Sequence, residues 1–146
     1  MKNEQFRCDC PITSAIDVIG DKWSLVIIKQ MLTENKKTFK DFTESEEAIA
    51  SNILSSRLKM LESLNLIRKE KLPTNKKTNI YLLTDAGIGL APVITAMTMW
   101  AYNSLGAVHP AMAVDERTDM LFEDKDKFAE FMMNNYREMV MGLHLS

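Results

Sequence analysis

The stretch Ser51-Asn52-Ile53-Leu54-Ser55-Ser56-Arg57-Leu58-Lys59-Met60-Leu61-Glu62-Ser63-Leu64-Asn65 decides how the chain is read. Ile53, Leu54, Arg57, Leu58, Leu61 and Leu64 recur at helical spacing, which puts them on one face of a helix of roughly four turns. The opposite face carries Asn52, Ser55, Ser56, Lys59 and Ser63. Asn65 tolerates left-handed backbone and is expected to end the helix. The period then changes. Leu66–Leu72 and Asn79–Leu83 read as short strands, joined by the polar run Pro73-Thr74-Asn75-Lys76-Lys77-Thr78. That connection reads as longer than a two-residue turn, so a lysine-bearing tip is expected to project from the domain.

Working outward, Pro11 suits the first turn of a helix, because its missing N–H would have had no helical partner. Ile12, Ala15, Ile16 and Ile19 follow at helical spacing and stop at Gly20. Asp21 can cap a second helix with Trp23, Val26, Ile27, Met31 and Leu32 on its buried stripe, ending at Asn35. Thr38 can cap a short third helix through Phe42. Beyond the hairpin, Thr84 caps a further helical region in which Pro92 should introduce a kink or a division. Gly106–Pro110 reads as a linker, and Lys125–Leu143 as an amphipathic helix with Phe128, Phe131, Met132, Met139, Val140 and Leu143 on its apolar stripe. The expected class is mainly α: a winged helix-turn-helix with a small β-hairpin wing and additional dimerisation helices. Residues 1–104 would hold the DNA-binding domain and the first dimerisation helices. Residues 105–146 would form the linker and a C-terminal helix at the dimer interface.

Composition narrows the function. In 146 residues, 46% are apolar and the net charge is −2, so a sizeable core can form and overall charge is uninformative. Distribution says more. Residues 57–77 hold seven basic side chains against two acidic, whereas residues 105–146 hold four basic against eight acidic. A basic face opposite an acidic one suits a protein that meets phosphate on one side only. No run of 18 apolar residues exists and no apolar segment follows the first lysine, so neither a membrane span nor a secretory signal is expected, and a cytoplasmic setting is. The only cysteines, Cys8 and Cys10, are poorly spaced for an intrachain bridge and too few for a metal site.

A helix fits the major groove, where each base pair presents its own set of donors and acceptors. Ser51, Asn52, Ser55 and Ser56 are short enough to let the backbone approach and can bond bases or phosphate. Lys59 is expected to point outward, and Arg57 either to brace the fold or to reach a phosphate. Lys76 and Lys77 at the hairpin tip are expected on the DNA backbone or in the minor groove, with Lys22, Lys36, Lys37 and Lys40 extending the footprint. One short helix reads few base pairs, so a homodimer on an inverted-repeat operator is expected, with recognition helices roughly 34 Å apart. Its contacts would come from Val93, Met97, Trp100, Phe128 and Met132.

The chain resembles the HxlR family of bacterial winged-helix regulators, whose architecture is MarR-like. The resemblance is carried by Cys10-Pro11-Ile12, Ala15 through Trp23, Phe39-Lys40-Asp41-Phe42, Ile53 through Glu62, Tyr81 through Gly87, and Leu90-Ala91-Pro92-Val93-Ile94 with Trp100 behind it. It implies a dimeric DNA-binding regulator without catalysis, a recognition helix over Asn52–Leu64 and a wing over Leu72–Asn79. It also implies subunit contacts from the N-terminal helix, through Ile12 and Ile16, and from the helix holding Trp100, with Trp23 packing the helical core. Two features depart from the family pattern. Glu47-Ala48-Ile49-Ala50-Ser51 stands where relatives carry a proline-glycine pair and a capping hydroxyl, so Ser51 would have to take the cap. The other is the long extension after Gly106.

Some members of the family sense oxidants or electrophiles through a cysteine matching Cys10, so an oxidant or small-molecule effector acting there is a second expectation. A third is a winged-helix interaction module that does not read DNA. Enzyme chemistry is not expected, nor a cofactor: His109 and His144 lack a nearby nucleophile or ligand pattern, and no phosphate-cradling glycine loop occurs. Asp119, Glu123, Asp124 and Asp126 read as a solvated helix-start cluster.

Overall fold

The computed structural model describes residues 6–145. Helices α1 (Pro11–Ile19), α2 (Ser24–Glu34), α3 (Phe39–Thr43) and α4 (Ser51–Ser63) precede a two-stranded antiparallel hairpin of β1 (Ile67–Leu72) and β2 (Asn75–Leu83). After it come α5 (Asp85–Ile88), α6 (Ala91–Ser104), α7 (Asp119–Glu123) and α8 (Lys125–Gly142). This is the expected mainly helical winged helix-turn-helix, with a short α7 and a preceding 3-10 turn at Glu116–Thr118 that the periodicity had not marked.

Local chemistry sets most boundaries. Asp21 caps α2 by accepting the N–H groups of Trp23 at 2.9 Å and Ser24 at 3.0 Å. Asn35 and Asn65 adopt φ of 54° and 60°, the left-handed conformation that closes α2 and follows α4. Thr84 accepts the Gly87 N–H at 3.2 Å to start α5, and Pro92 sits in the first turn of α6, where it divides the two helices instead of kinking one. Gly87 is needed for space: a Cβ there would lie 2.2 Å from the Leu66 carbonyl oxygen.

One core joins the elements. Ile27, Ile28 and Met31 of α2 meet Phe42, Leu54, Leu58, Leu61, Ile67, Leu83, Ile88 and Ile94, and Trp23 packs half-buried against them. Ala129, Met132 and Tyr136 of α8 enter the same core. The expected role of Met132 is thereby corrected: its side chain packs inside its own protomer and is not left for a subunit contact. Phe128 is half-buried against the same cluster, while Phe131 is 56% exposed.

The hairpin also differs from expectation. The turn is only Pro73-Thr74, and β2 begins at Asn75. The register jumps from Lys71↔Asn79 to Leu72↔Asn75, which leaves Lys76, Lys77 and Thr78 without a paired residue on β1. Both lysines thus lie in a bulged strand and not in a loop, and both are exposed. Among the described residues, no helix is long and apolar enough to cross a membrane.

Candidate nucleic-acid interface

α4 begins without a side-chain cap. Ala50 occupies the cap position with φ −67° and ψ 142°, and the first intrahelical bond runs from the Leu54 N–H to the Ala50 carbonyl at 2.9 Å. Ser51, expected to take the cap, is instead the first helical residue, because the chain turns helical one position earlier than a seryl cap would need. The N–H groups ahead of Leu54 therefore open at a surface formed by exposed Ala50, Ser51 and Asn52.

The preceding turn is tied down from α2. Ala48 takes a left-handed φ of 53°. Next to it, the Glu47 carboxylate accepts from the Lys29 ammonium and, at 2.6 Å, from Gln30 Nε2, which also donates to Ser45 Oγ at 3.0 Å. The hydrogen bond from Lys29 holds the Glu47 carboxyl below its ordinary range. At Lys29, burial works against the charge, but hydrogen bonds to Glu47 and Glu34 outweigh it and raise the ammonium's pKa.

Of the two roles left open for Arg57, the geometry favours the brace. Its guanidinium lies 3.8 Å from Asp21 Oδ1 and donates to Met60 Sδ at 3.6 Å. Burial opposes the charge of Asp21, yet the Ser24 hydroxyl, the N–H groups of Trp23 and Ser24, and Arg57 keep its pKa low. One carboxylate thus joins the start of α2 to the middle of α4.

Asn52, Ser56 and Lys59 are exposed, and Ser55 is half-buried. Ser55, Lys59 and Glu62 share a shallow cleft with Phe39 of α3 and with Lys69 and Tyr81 of the hairpin. The polar face of α4 and the wing therefore line one depression. Lys69 Nζ lies 5.8 Å from the centroid of the Tyr81 ring, which faces it across the strand register. Lys69 and Tyr81 are additional members of this face. The signal that finds them is strand pairing, which a linear reading lacks.

Away from this surface, α1 and α6 carry an uncovered apolar set. Ile12 is 72% exposed, Trp100 61%, Met97 53%, Ile16 52% and Val93 38%. Cys8 and Cys10 are both free and exposed. Cys10 sits at the cap position of α1, where the N–H and hydroxyl of Thr13 and then the N–H of Ile12 lower its thiol pKa. Nearby, Arg7 pairs with Asp17 at 2.7 Å. Among the described residues, no group of three or more His, Cys, Asp or Glu is placed to hold a metal ion. Asp124 caps α8, accepting the Lys127 N–H at 3.1 Å.

The sequence pattern of the HxlR-like helix-turn-helix family matches residues 18–108. The chain belongs to that family. The HxlR-family relatives include the HTH-type transcriptional regulator YodB of Bacillus subtilis, 36% identical over 93 residues that span 63% of this chain and 82% of YodB. The reduced form of YodB superposes with a TM-score of 0.55 at 32% identity, covering 70% of this chain and 98% of that one. The crystal structure of PA1607 superposes with a TM-score of 0.62 at 31% identity, covering 67% of each chain. The redox regulator HypR in its reduced form gives 0.58 at 26% identity, covering 68% of this chain and 97% of HypR. YodB has also been solved quinone-bound and after diamide treatment, and HypR in an oxidised form. As an HxlR-family member, the chain is a helix-turn-helix transcriptional regulator. Cys10 and α8 both lie outside the residues that match the family pattern.

Proposed function

We propose that the protein binds duplex DNA sequence-specifically as a homodimer and regulates transcription, with α4 in the major groove and the wing on the backbone or in the minor groove. The observation that carries this reading is the shared depression between the two elements, in which Ser55 and Lys59 face Lys69 and Tyr81. A groove-reading helix needs short polar side chains at close approach, and a wing needs cations that reach phosphate without reading sequence. Ser51, Asn52 and Ser56 meet the first need, and Lys76 and Lys77 meet the second. The exposed Ile12, Ile16, Val93, Met97 and Trp100 supply the apolar patch that a two-fold partner would cover.

Selection of bound duplexes from a random pool tests the whole reading. The expected product is an inverted repeat with half-site centres about one helical turn apart. Binding should weaken steeply with salt, and a Lys76→Ala/Lys77→Ala variant should weaken all sites alike while reducing the salt slope by about two. A pool without enrichment, or affinity indifferent to salt, would leave a protein-interaction module as the better account. Trp100→Glu should yield a monomer by sedimentation, and a persistent dimer would exclude the α1/α6 face.

A second reading has its own observation. The thiol of Cys10 is exposed at a helix start whose N–H groups stabilise the thiolate, and solved relatives are described as redox regulators or as quinone-bound. Modification of Cys10 by an oxidant or electrophile would then alter the spacing of the recognition helices. DNA affinity measured before and after complete thiol modification decides the matter, and unchanged binding in the fully modified protein ends the idea.

A further inference from the structure

α8 lies wholly beyond the residues matched by the family pattern, yet it and two residues beyond its end meet the hairpin and the start of α5. The Tyr136 side chain, 1% exposed, accepts the Leu83 N–H at 2.8 Å. Arg137 faces Asp85, just past the end of β2, at 3.8 Å. Beyond the helix, His144 and Leu145 line a hollow together with Lys71, Leu72, Pro73 and Lys76 of the hairpin.

The first contact has a clear physical reason. A two-stranded sheet leaves the outward N–H groups of β2 without a neighbouring strand. That of Tyr81 donates to the Lys37 carbonyl at 2.7 Å, and that of Leu83 donates to Tyr136. A buried donor is costly to leave unmade, so the Tyr136 hydroxyl fixes where the stem of β2 can lie. Lys77 sits six residues up the same strand, roughly 20 Å away along the hairpin. A small tilt at the stem becomes a large displacement at the lysines.

We propose that the C-terminal helix sets the pose of the wing, with Tyr136 as a positioning residue that aims Lys76 and Lys77 at the duplex backbone while α4 lies in the groove. This rests on the DNA-binding reading above. In the full-length chain, Tyr136→Phe keeps the ring and removes the acceptor. Affinity for the selected duplex should fall roughly threefold to tenfold, and the slope of log affinity against log salt should become shallower by about one to two, as phosphate contacts are lost. In a Lys76→Ala/Lys77→Ala background the same change should cause no further loss. If Tyr136 acts only through stability, the melting temperature falls, the salt slope stays unchanged and the losses add, which overturns the proposal. Amide exchange gives a readout that does not need DNA. Tyr136→Phe should speed exchange across Lys76–Leu83 and leave α4 unaffected; unchanged exchange in the hairpin overturns the proposal even if the wild type binds no duplex. Should Tyr136→Phe not fold, the wild type is tested directly: the Leu83 amide, held by Tyr136, should exchange as slowly as the core amides of α2, and a Leu83 amide that exchanges as fast as that of Lys77 overturns the proposal.

Discussion

Two neighbouring helices of the helix-turn-helix begin in opposite ways. α3 starts with a complete capping box: Thr38 Oγ1 accepts the Asp41 N–H at 3.1 Å, and the Asp41 carboxylate returns the favour to the Thr38 N–H at 3.0 Å. The same carboxylate accepts the Lys37 N–H at 3.0 Å. α4 starts at Ala50 with no side-chain bond, behind a left-handed Ala48. On the DNA-binding proposal, the difference separates two jobs. α3 satisfies its first N–H groups internally, while α1 and α6, which also lack a side-chain cap, carry a proline in the first turn that removes one of those donors. A helix meant to approach phosphate can leave them open, provided another part of the chain holds its start in place. Here the holding is done by Lys29 and Gln30, which grip Glu47 from α2.

The contrast is most easily broken at α3. Asp41→Ala removes an acceptor of two backbone N–H groups and should cost about 2 kcal/mol in denaturant unfolding. The matching change at α4, Ala50→Gly, removes no bond; glycine's better fit at a cap is offset by its backbone entropy, so the net change should be within about a few tenths of zero. Equal costs would mean that the two starts do not differ in energy. The pH response follows from the same carboxylate. Burial works against its charge, but the N–H groups of Lys37 and Thr38 and the Thr38 hydroxyl hold the Asp41 pKa below its ordinary value. A depressed carboxyl pKa stabilises the fold above the unfolded-state value, and that contribution disappears as pH falls through the folded-state value. Asp21 and Glu47 are shifted in the same direction, so acid should loosen the starts of α2 and α3 and the turn before α4 together. The Asp41→Ala protein should lose less stability than the wild type on acidification, and an unchanged loss would remove Asp41 from that account.

What could be read along the chain, and what could not, divides on the same physical line. Thr38, Asp21, Thr84, Asn35, Asn65 and Pro92 act within a few residues of themselves, and each ends or begins an element where local chemistry said it would. The polar face of α4 was legible for the same reason, since helical spacing is a local property. Long-range geometry was not. The placement of Lys76 and Lys77 in a bulged strand depends on which residues of β1 pair with β2, and nothing in the run Pro73–Thr78 states that register. Lys69 and Tyr81 joined the α4 cleft for the same reason. Met132 lay on a stripe that suited either a partner subunit or the protomer itself, and only packing against α2 and α6 chose between them. Tyr136 falls on that stripe four residues after Met132, but a tyrosine declares itself as core only when its hydroxyl has somewhere to go. Leu83, 53 residues away in sequence, supplies that place.

The second test adds to α4 what α3 already has. Ala50→Ser places a hydroxyl at the cap position, where φ and ψ already suit it, and should stabilise the protein by about 1 kcal/mol. No gain would mean that the N–H groups at the start of α4 are satisfied in some other way, and the distinction from α3 would disappear.

A smaller gain is expected at Ala48. A left-handed conformation costs an L-residue about 1–2 kcal/mol, whereas glycine adopts it freely at an entropic cost of about 0.5–1 kcal/mol. Ala48→Gly should therefore leave a net gain of about 0.5 kcal/mol, half that of Ala50→Ser. Because Glu47 is fixed by Lys29 and Gln30, the turn should keep its path, and duplex affinity should stay within about twofold of wild type, a change below ~0.5 kcal/mol. In a Glu47→Gln background the grip is weakened, and the extra freedom of glycine should then let the start of α4 wander: the gain in stability shrinks and affinity falls. Additive effects of the two changes would show that the polar grip and the left-handed residue act independently. The open start of α4 would then be a local accident of sequence and not a feature held in place by α2.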